Sequence, residues 1–210
     1  MPGSIVSAGV KRGRPRSEQV EQAILRAAAA VLLERGLAAM TIEDVAERAG
    51  VGKASIYRRW STKGTLALDA FLAEFLASQP LPDTGSLDGD LRAALRAWVR
   101  TVRGTPTGRA LGGLIGQVQH DPELAIAWTQ RVVTPIRAQH RRIIERAMER
   151  GEIPADSEAD LLLDMLYGPA YHRLLNGHLP LTNRFIHQVV AMVMVGAAAG
   201  ASAPASKARR

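Results

Sequence analysis

Residues 41–63, TIEDVAERAGVGKASIYRRWSTK, restrict the folds open to this chain more than any other stretch. Thr41 is placed to N-cap a helix, and Asp44 three residues on completes a capping-box-like pair. Ile42, Val45 and Ala46 give that helix one apolar stripe, while Glu43, Glu47 and Arg48 face water. Ala49-Gly50-Val51-Gly52 then breaks the period, and Gly50 suits a backbone position with positive φ. Residues 53–60, KASIYRRW, resume a short helix with a basic end. Two short helices across such a turn predict a helix-turn-helix, whose second helix fits the major groove of DNA.

The remainder reads as helix too. Ser17 is expected to N-cap the first helix, with Glu18 and Glu21 well placed on its dipole. Val20, Ile24, Ala27, Ala28, Val31 and Leu32 form a stripe at helical spacing, and Gly36 is expected to end it. A helix over 63–79 carries Leu66, Ala70, Phe71, Phe75 and Leu76, and Pro80 and Pro82 stop it. Residues 80–89 read as a loop. Further helices are predicted near 87–103, 107–119, 122–150, 157–175 and 182–200, with a kink or break at Pro135. The expected fold is all-α: an N-terminal three-helix helix-turn-helix DNA-binding domain plus a C-terminal helical domain. The expected divisions are a disordered basic arm over 1–16, the DNA-binding domain over 17–64, the C-terminal helical domain over 65–200, and a flexible tail over 201–210.

Charge and composition narrow the partners. Lysine and arginine total 27 against 20 acidic residues, a net +7 that favours a polyanion. The absence of cysteine removes disulfides and thiolate zinc sites. The five histidines do not gather with carboxylates at metal-ligand spacing, so neither metal nor cofactor is expected. Nucleophile elbow, phosphate loop and dinucleotide fingerprint are all missing, which argues against an enzyme. No apolar run reaches the ~18 residues of a membrane span, and no signal-peptide segment opens the chain. A soluble cytoplasmic protein with no membrane partner is the expectation.

The 41–63 motif, with Arg35-Gly36 before it and Lys63-Gly64-Thr65-Leu66 after it, resembles the TetR family of bacterial transcriptional regulators over residues 17–72. Arg150-Gly151-Glu152-Ile153 and the acidic-apolar run from Asp160 to Pro169 look like the regulatory half of many members. The resemblance implies an all-α homodimer in which residues 65–200 are the regulatory, ligand-binding and dimerisation domain. Its N-terminal part would bind a palindromic double-stranded operator, and its C-terminal part a small effector that releases the DNA. Most members repress and a minority activate.

Specific side chains follow. Lys53, Ser55, Tyr57, Arg58 and Arg59 are the candidates to reach DNA from the second helix, an arginine being able to grip guanine in a bidentate way. The resemblance assigns Tyr57 to a backbone phosphate. Thr41 and Lys63 sit at helix starts and can donate to phosphate. Gly52 and Ala54 are small enough to let the backbone approach, whereas Ile56 and Trp60 should pack inward. In the arm, Lys11-Arg12-Gly13-Arg14-Pro15-Arg16 looks like a minor-groove ligand, with Arg12 and Arg14 the inserting candidates; the plainer reading is nonspecific phosphate affinity. Candidate pocket residues are Trp98, Gln117, Trp128, Met148, Met165, Tyr167, Tyr171 and His172, and their apolar character hints at a lipophilic effector. Gly112, Gly113 and Gly116 allow close helix packing or leave cavity space. The last two helices are apolar on more than one face, which self-association into a four-helix interface would explain. The reading is a repressor released by a small molecule. Its rivals are an activator or effector-independent DNA-binding protein, and a helical small-molecule binding protein with a vestigial helix-turn-helix.

Overall fold

The computed structural model describes residues 14–75 and 81–200. Among them the regular elements are all helical. They are α1 (Arg14–Ala39), α2 (Ile42–Ala49), α3 (Lys53–Tyr57), α4 (Lys63–Phe75), α5 (Leu87–Val102), α6 (Pro106–Val118), α7 (Pro122–Trp128), α8 (Thr134–Glu149), α9 (Ala159–Asn176) and α10 (Asn183–Gly200).

Helix α1 begins at Arg14, ahead of the expected cap. Pro15 in its first turn forfeits no helical hydrogen bond there. Ser17 therefore lies inside the helix rather than capping it. Residues 1–13, with Lys11 and Arg12, lie outside the described residues, as do 76–80 and the tail from 201. Gly36 takes φ 75°, ψ 166° and breaks the helical path, as its sequence position predicts.

Local chemistry sets most of the other boundaries. Thr41, Ser86, Thr105 and Asp121 each N-cap a helix by accepting a backbone N–H three residues on. Pro106 and Pro122 occupy first turns, where a missing N–H costs nothing. The α5–α6 corner is closed so tightly that a Cβ on Gly108 would lie 1.9 Å from the Val102 carbonyl oxygen. The single helix expected over 122–150 is interrupted. A π turn, Thr129–Val133, separates α7 from α8 directly before Pro135. Proline cannot donate to the carbonyl four residues back and crowds it, so the ladder widens instead of breaking.

Helices α1, α2 and α4 surround a core of Ile24, Ala28, Val31, Leu32, Met40, Val45, Ile56 and Leu66. Helix α1 also packs on α6, and α4 on α6 and α7. Helices α5, α8, α9 and α10 form the second body around Leu91, Leu95, Ile143, Leu166 and Val190. Asp90, fully buried at the start of α5, pairs with Arg146 of α8 at 3.3 Å and accepts from the Thr84 amide at 2.6 Å. That bonding fastens the segment entering α5 to α8, where a lone buried carboxylate would be costly.

Candidate nucleic-acid interface

The turn between α2 and α3 is set by one glycine. Gly50 takes φ 65°, ψ 36° and its N–H returns to the Ala46 and Glu47 carbonyls. A non-glycine residue there carries the left-handed penalty. Gly52 is different. Its φ of −74° is open to any residue, and a Cβ on it would meet nothing within 4 Å. Among the described residues, neither the backbone nor the packing demands a glycine at 52.

Helix α3 is only five residues long and depends on two inward anchors. Ile56 is fully buried and Trp60 nearly so, as their spacing predicts. Rotating those two inward turns Tyr57 outward, 55% exposed, with Arg58 beside it. Lys53, Ala54 and Gly52 are exposed as well, and Ser55 is half-buried. Thr41 of α2 is exposed on the same unit.

Several of these groups already hold partners. The Thr41 hydroxyl accepts from the Asp44 amide at 3.1 Å and donates to the Asp44 carboxylate at 2.6 Å. That donation, with Arg35 at 2.6 Å, holds the Asp44 carboxyl below its ordinary range. The Thr41 proton is therefore committed inside the cap rather than free for phosphate. Lys53 Nζ lies 2.7 Å from Glu43, which raises the ammonium pKa and lowers that of the carboxylate. Both groups are exposed, so the pair is weak and can open. Lys63 donates to the Ala38 carbonyl at 3.3 Å. Arg58 has no ion-pair partner among the described residues.

Arg59 departs from the sequence expectation. Its guanidinium turns back across α1, donating to Ser17 Oγ at 2.7 Å and to the Ser17 carbonyl at 3.3 Å. It also donates to the Ser55 carbonyl at 3.3 Å and lies 3.6 Å from Glu21. Its side chain is 18% exposed. The fork is held within the protein, on an α1 that begins four residues ahead of the Glu18 start that a Ser17 cap implied. Arg14 starts α1, while Arg12 lies outside the described residues.

Sequence reasoning missed the polar link from this unit to the second body. Trp60 donates from Nε1 to Asp69 of α4 at 2.9 Å, and Asp69 also pairs with Arg131 of the π turn. Ser61 donates to Glu123 in the first turn of α7. These residues line an open cleft of about 320 Å³ with Ile126 and Gln130. The separation of 62 residues between Ser61 and Glu123 leaves no local signal.

The eight candidate pocket residues do not converge. Trp98 meets Tyr171 at 4.9 Å with the rings tilted by 59° and Tyr167 edge-on at 6.4 Å, forming one aromatic group. His140, absent from the sequence-derived set, joins it at 5.4 Å from Tyr167, its Nδ1–H donating to the Ile136 carbonyl. Burial lowers the His140 pKa and raises those of both tyrosines. Met148 and Met165 are half-buried on α8 and α9, and Met165 packs against Gly196 of α10. Trp128 is buried on α7, which packs on α4 and α6. Gln117 and His172 are exposed, so neither orients a ligand from a buried wall. Helical spacing marks burial and cannot separate core from pocket. Of the α6 glycines, Gly113 approaches Leu37 of α1, where a Cβ would lie 3.5 Å away, and Gly116 faces open space.

Residues 24–70 match the family described as bacterial regulatory proteins, tetR family, and residues 81–193 match the tetracyclin repressor-like C-terminal domain. The chain belongs to the TetR family. The HTH-type regulator YdeS of Bacillus subtilis is 38% identical over 165 residues, covering 79% of this chain and 83% of that one. The DNA-binding transcriptional repressor TetR of Mycobacteroides abscessus is 33% identical, covering 89% and 95%. The crystal structure of the TetR family regulator SCO0332 superposes with a TM-score of 0.73 at 37% identity, covering 85% of this chain and 98% of that one. This TetR-family chain is a helix-turn-helix transcriptional regulator with an all-α fold. Among its described residues, no helix is long and apolar enough to cross a membrane, and no group of three potential metal ligands occurs.

Proposed function

We propose that this TetR-family regulator is a one-component repressor: a homodimer that grips a palindromic operator through α3 and lets go when a small molecule binds the second body. The observation that supports this most directly is the α2–α3 unit. Ile56 and Trp60 anchor a short helix whose outer face carries Lys53, Tyr57 and Arg58, beside a Gly52 that the fold itself does not require. In this reading Arg58 and Lys53 read bases, Tyr57 positions on phosphate, and Gly52 and Ala54 admit the backbone to the groove. Lys63 and the Thr41 amide contribute phosphate contacts.

A second copy covers the outer face of α9 and α10. Leu161, Leu175, Met192 and Val195 stand about half or more exposed on the sides opposite the buried stripes. A C2 pairing there buries them and sets two α3 helices about one DNA turn apart. For release, the bonds from Trp60 to Asp69 and from Asp69 to Arg131 offer a route between the bodies. A small apolar effector that shifts the aromatic group of Trp98, Tyr167 and Tyr171 moves α8 and α9, and through α8 the π turn. Its effect is limited to its differential affinity for the two states.

The test is fluorescence anisotropy of the purified protein on the duplex upstream of its own gene, at two salt concentrations with nonspecific competitor. Saturable, competitor-resistant binding that Tyr57→Ala and Arg58→Ala both abolish supports the reading. Binding to every duplex that survives both substitutions overturns the assignment of α3. Operator binding that no apolar compound releases favours an effector-independent regulator.

A further inference from the structure

We infer that the cleft between α4 and α7 is a second small-molecule site, one that takes a protonated amine carried on a short apolar body. It is separate from the effector contact proposed at Trp98, Tyr167 and Tyr171. Binding there does not depend on how α3 meets DNA; the effect of binding on the operator rests on that reading.

Helices α4 and α7 come together at Gly64, where a Cβ would lie 3.1 Å from both Leu124 and Asp121. Farther along, Trp60 and Asp69 line one side of the cleft, and Glu123, Ile126, Ala127 and Arg131 the other, around about 320 Å³. That volume is at the small end of ligand sites, with room for a ring and a short chain. Glu123, Ile126 and Ala127 are spaced by three and four residues, so one face of α7 forms the wall. Ile126 on that face is 60% exposed and offers apolar surface that a ligand can cover.

The charged groups select the sign of the ligand. Arg59, one of the two cations in the lining, is turned to Ser17 and Glu21. Arg131 is left facing two carboxylates. Glu123 accepts from Ser61 through Oε1, and its Oε2 receives no hydrogen bond among the described residues. Asp69 accepts from Trp60 through Oδ2 at 2.9 Å. Its Oδ1 is shut from solvent; Arg131 lies against it, yet no aligned hydrogen bond reaches it among the described residues. A buried carboxylate oxygen in that state has room for a better donor. The Arg131 side chain is 46% exposed, so it can return to water at little cost. An ammonium brings three donors to Asp69 and Glu123. An anion would have to take Arg131 from Asp69 and remain beside two like charges.

The ligand's apolar part then covers Ile126 and Ala127. With its ammonium in place of Arg131, α4 is untied from the π turn. Helix α4 packs on α1 and holds Trp60, so the DNA-facing unit loses a fixing to the second body and operator affinity falls.

The experiment is calorimetric titration of the full-length protein at neutral pH with phenylbutylamine, phenylbutanol and phenylbutyrate. The amine is expected to bind once per protomer, about tenfold tighter than the alcohol, because only it forms charge-assisted hydrogen bonds. Glu123→Gln and Ile126→Ser, both at exposed positions, should each weaken the amine about fivefold, with the fold checked by circular dichroism. His140→Leu, at the aromatic group, should leave amine binding as it is. No amine binding, equal affinity for the alcohol, full affinity in both cleft variants, or loss in His140→Leu alone overturns the site. In anisotropy, saturating amine should weaken operator binding at least threefold for wild type and not for Ile126→Ser. Binding without that change overturns the coupling to α4. A protein that binds no duplex overturns the docking of α3, and the titration still decides the site.

Discussion

Gly50 and Gly52 stand two residues apart and should fail in opposite ways. Gly50 sits at φ 65°, where an alanine Cβ crowds its own carbonyl at a cost of about 1 kcal/mol. In a chain of this size that lowers Tm by about 2–4 °C. Gly52 is the N-cap of α3 at φ −74°, ψ 146°, and a Cβ there meets nothing within 4 Å. Serine fits that backbone, and its hydroxyl supplies the cap that α3 lacks, which stabilises the helix by a few tenths of a kcal/mol. Gly52→Ser should therefore leave Tm unchanged or slightly raised. Against DNA the added atoms occupy the space through which the α3 N-terminus approaches. An affinity loss of about tenfold or more is expected, equivalent to about 1.4 kcal/mol. Thermal melting and anisotropy titration of the two variants side by side separate the effects. A Gly52→Ser protein that binds the operator duplex within twofold of wild type refutes the argument that this glycine is kept for an outside surface. A Gly52→Ser protein that melts well below wild type refutes the claim that the fold does not need it.

Arg58→Ala should cost about 1–3 kcal/mol and relax the base preference at one position of each half-site, while Lys63→Ala should weaken all duplexes alike and flatten the dependence of log affinity on log salt by about one unit. Asp69→Asn removes the charge facing Arg131 and should cost about 1 kcal/mol in urea unfolding, since the pair is partly exposed. Met192→Glu with Val195→Glu places charge on the outer face of α10 and should convert a dimer to monomer in light scattering, with the helical signal retained. His140 has a pKa lowered from 6.5 by burial. Below pH 6.5 the unfolded chain takes up a proton that the native ring resists, so stability should fall with pH until the native ring also protonates. His140→Leu should remove that part of the pH dependence, measured by urea midpoints from pH 7 to 5.

The helix-turn-helix was legible because its determinants are local. The Thr41 cap, the Gly50 turn and the inward Ile56 and Trp60 are encoded within about twenty consecutive residues, and the structure has each of them as expected. Pro135 likewise announced an interruption, though its form as a π turn was not evident from spacing. The start of α1 was misjudged because a serine followed by glutamates makes a better cap signal than Arg14-Pro15. The ligand candidates were the least legible. Large apolar residues at helical spacing mark burial, and burial is common to core, interface and pocket.

By itself the sequence determined the helices, the DNA-facing unit, the family and the apolar outer stripes of α9 and α10, all properties of period, cap and turn. Only the tertiary structure decided that Arg59 faces Ser17 and Glu21, that Asp69 joins Trp60 to Arg131, and that His140 sits with Trp98, Tyr167 and Tyr171. Apart from Trp60 and Asp69, 9 positions apart, those contacts join residues 27 to 73 positions apart, 42 for Arg59 and Ser17. They depend on the angles at which packed helices cross, and no local pattern in the chain encodes those angles.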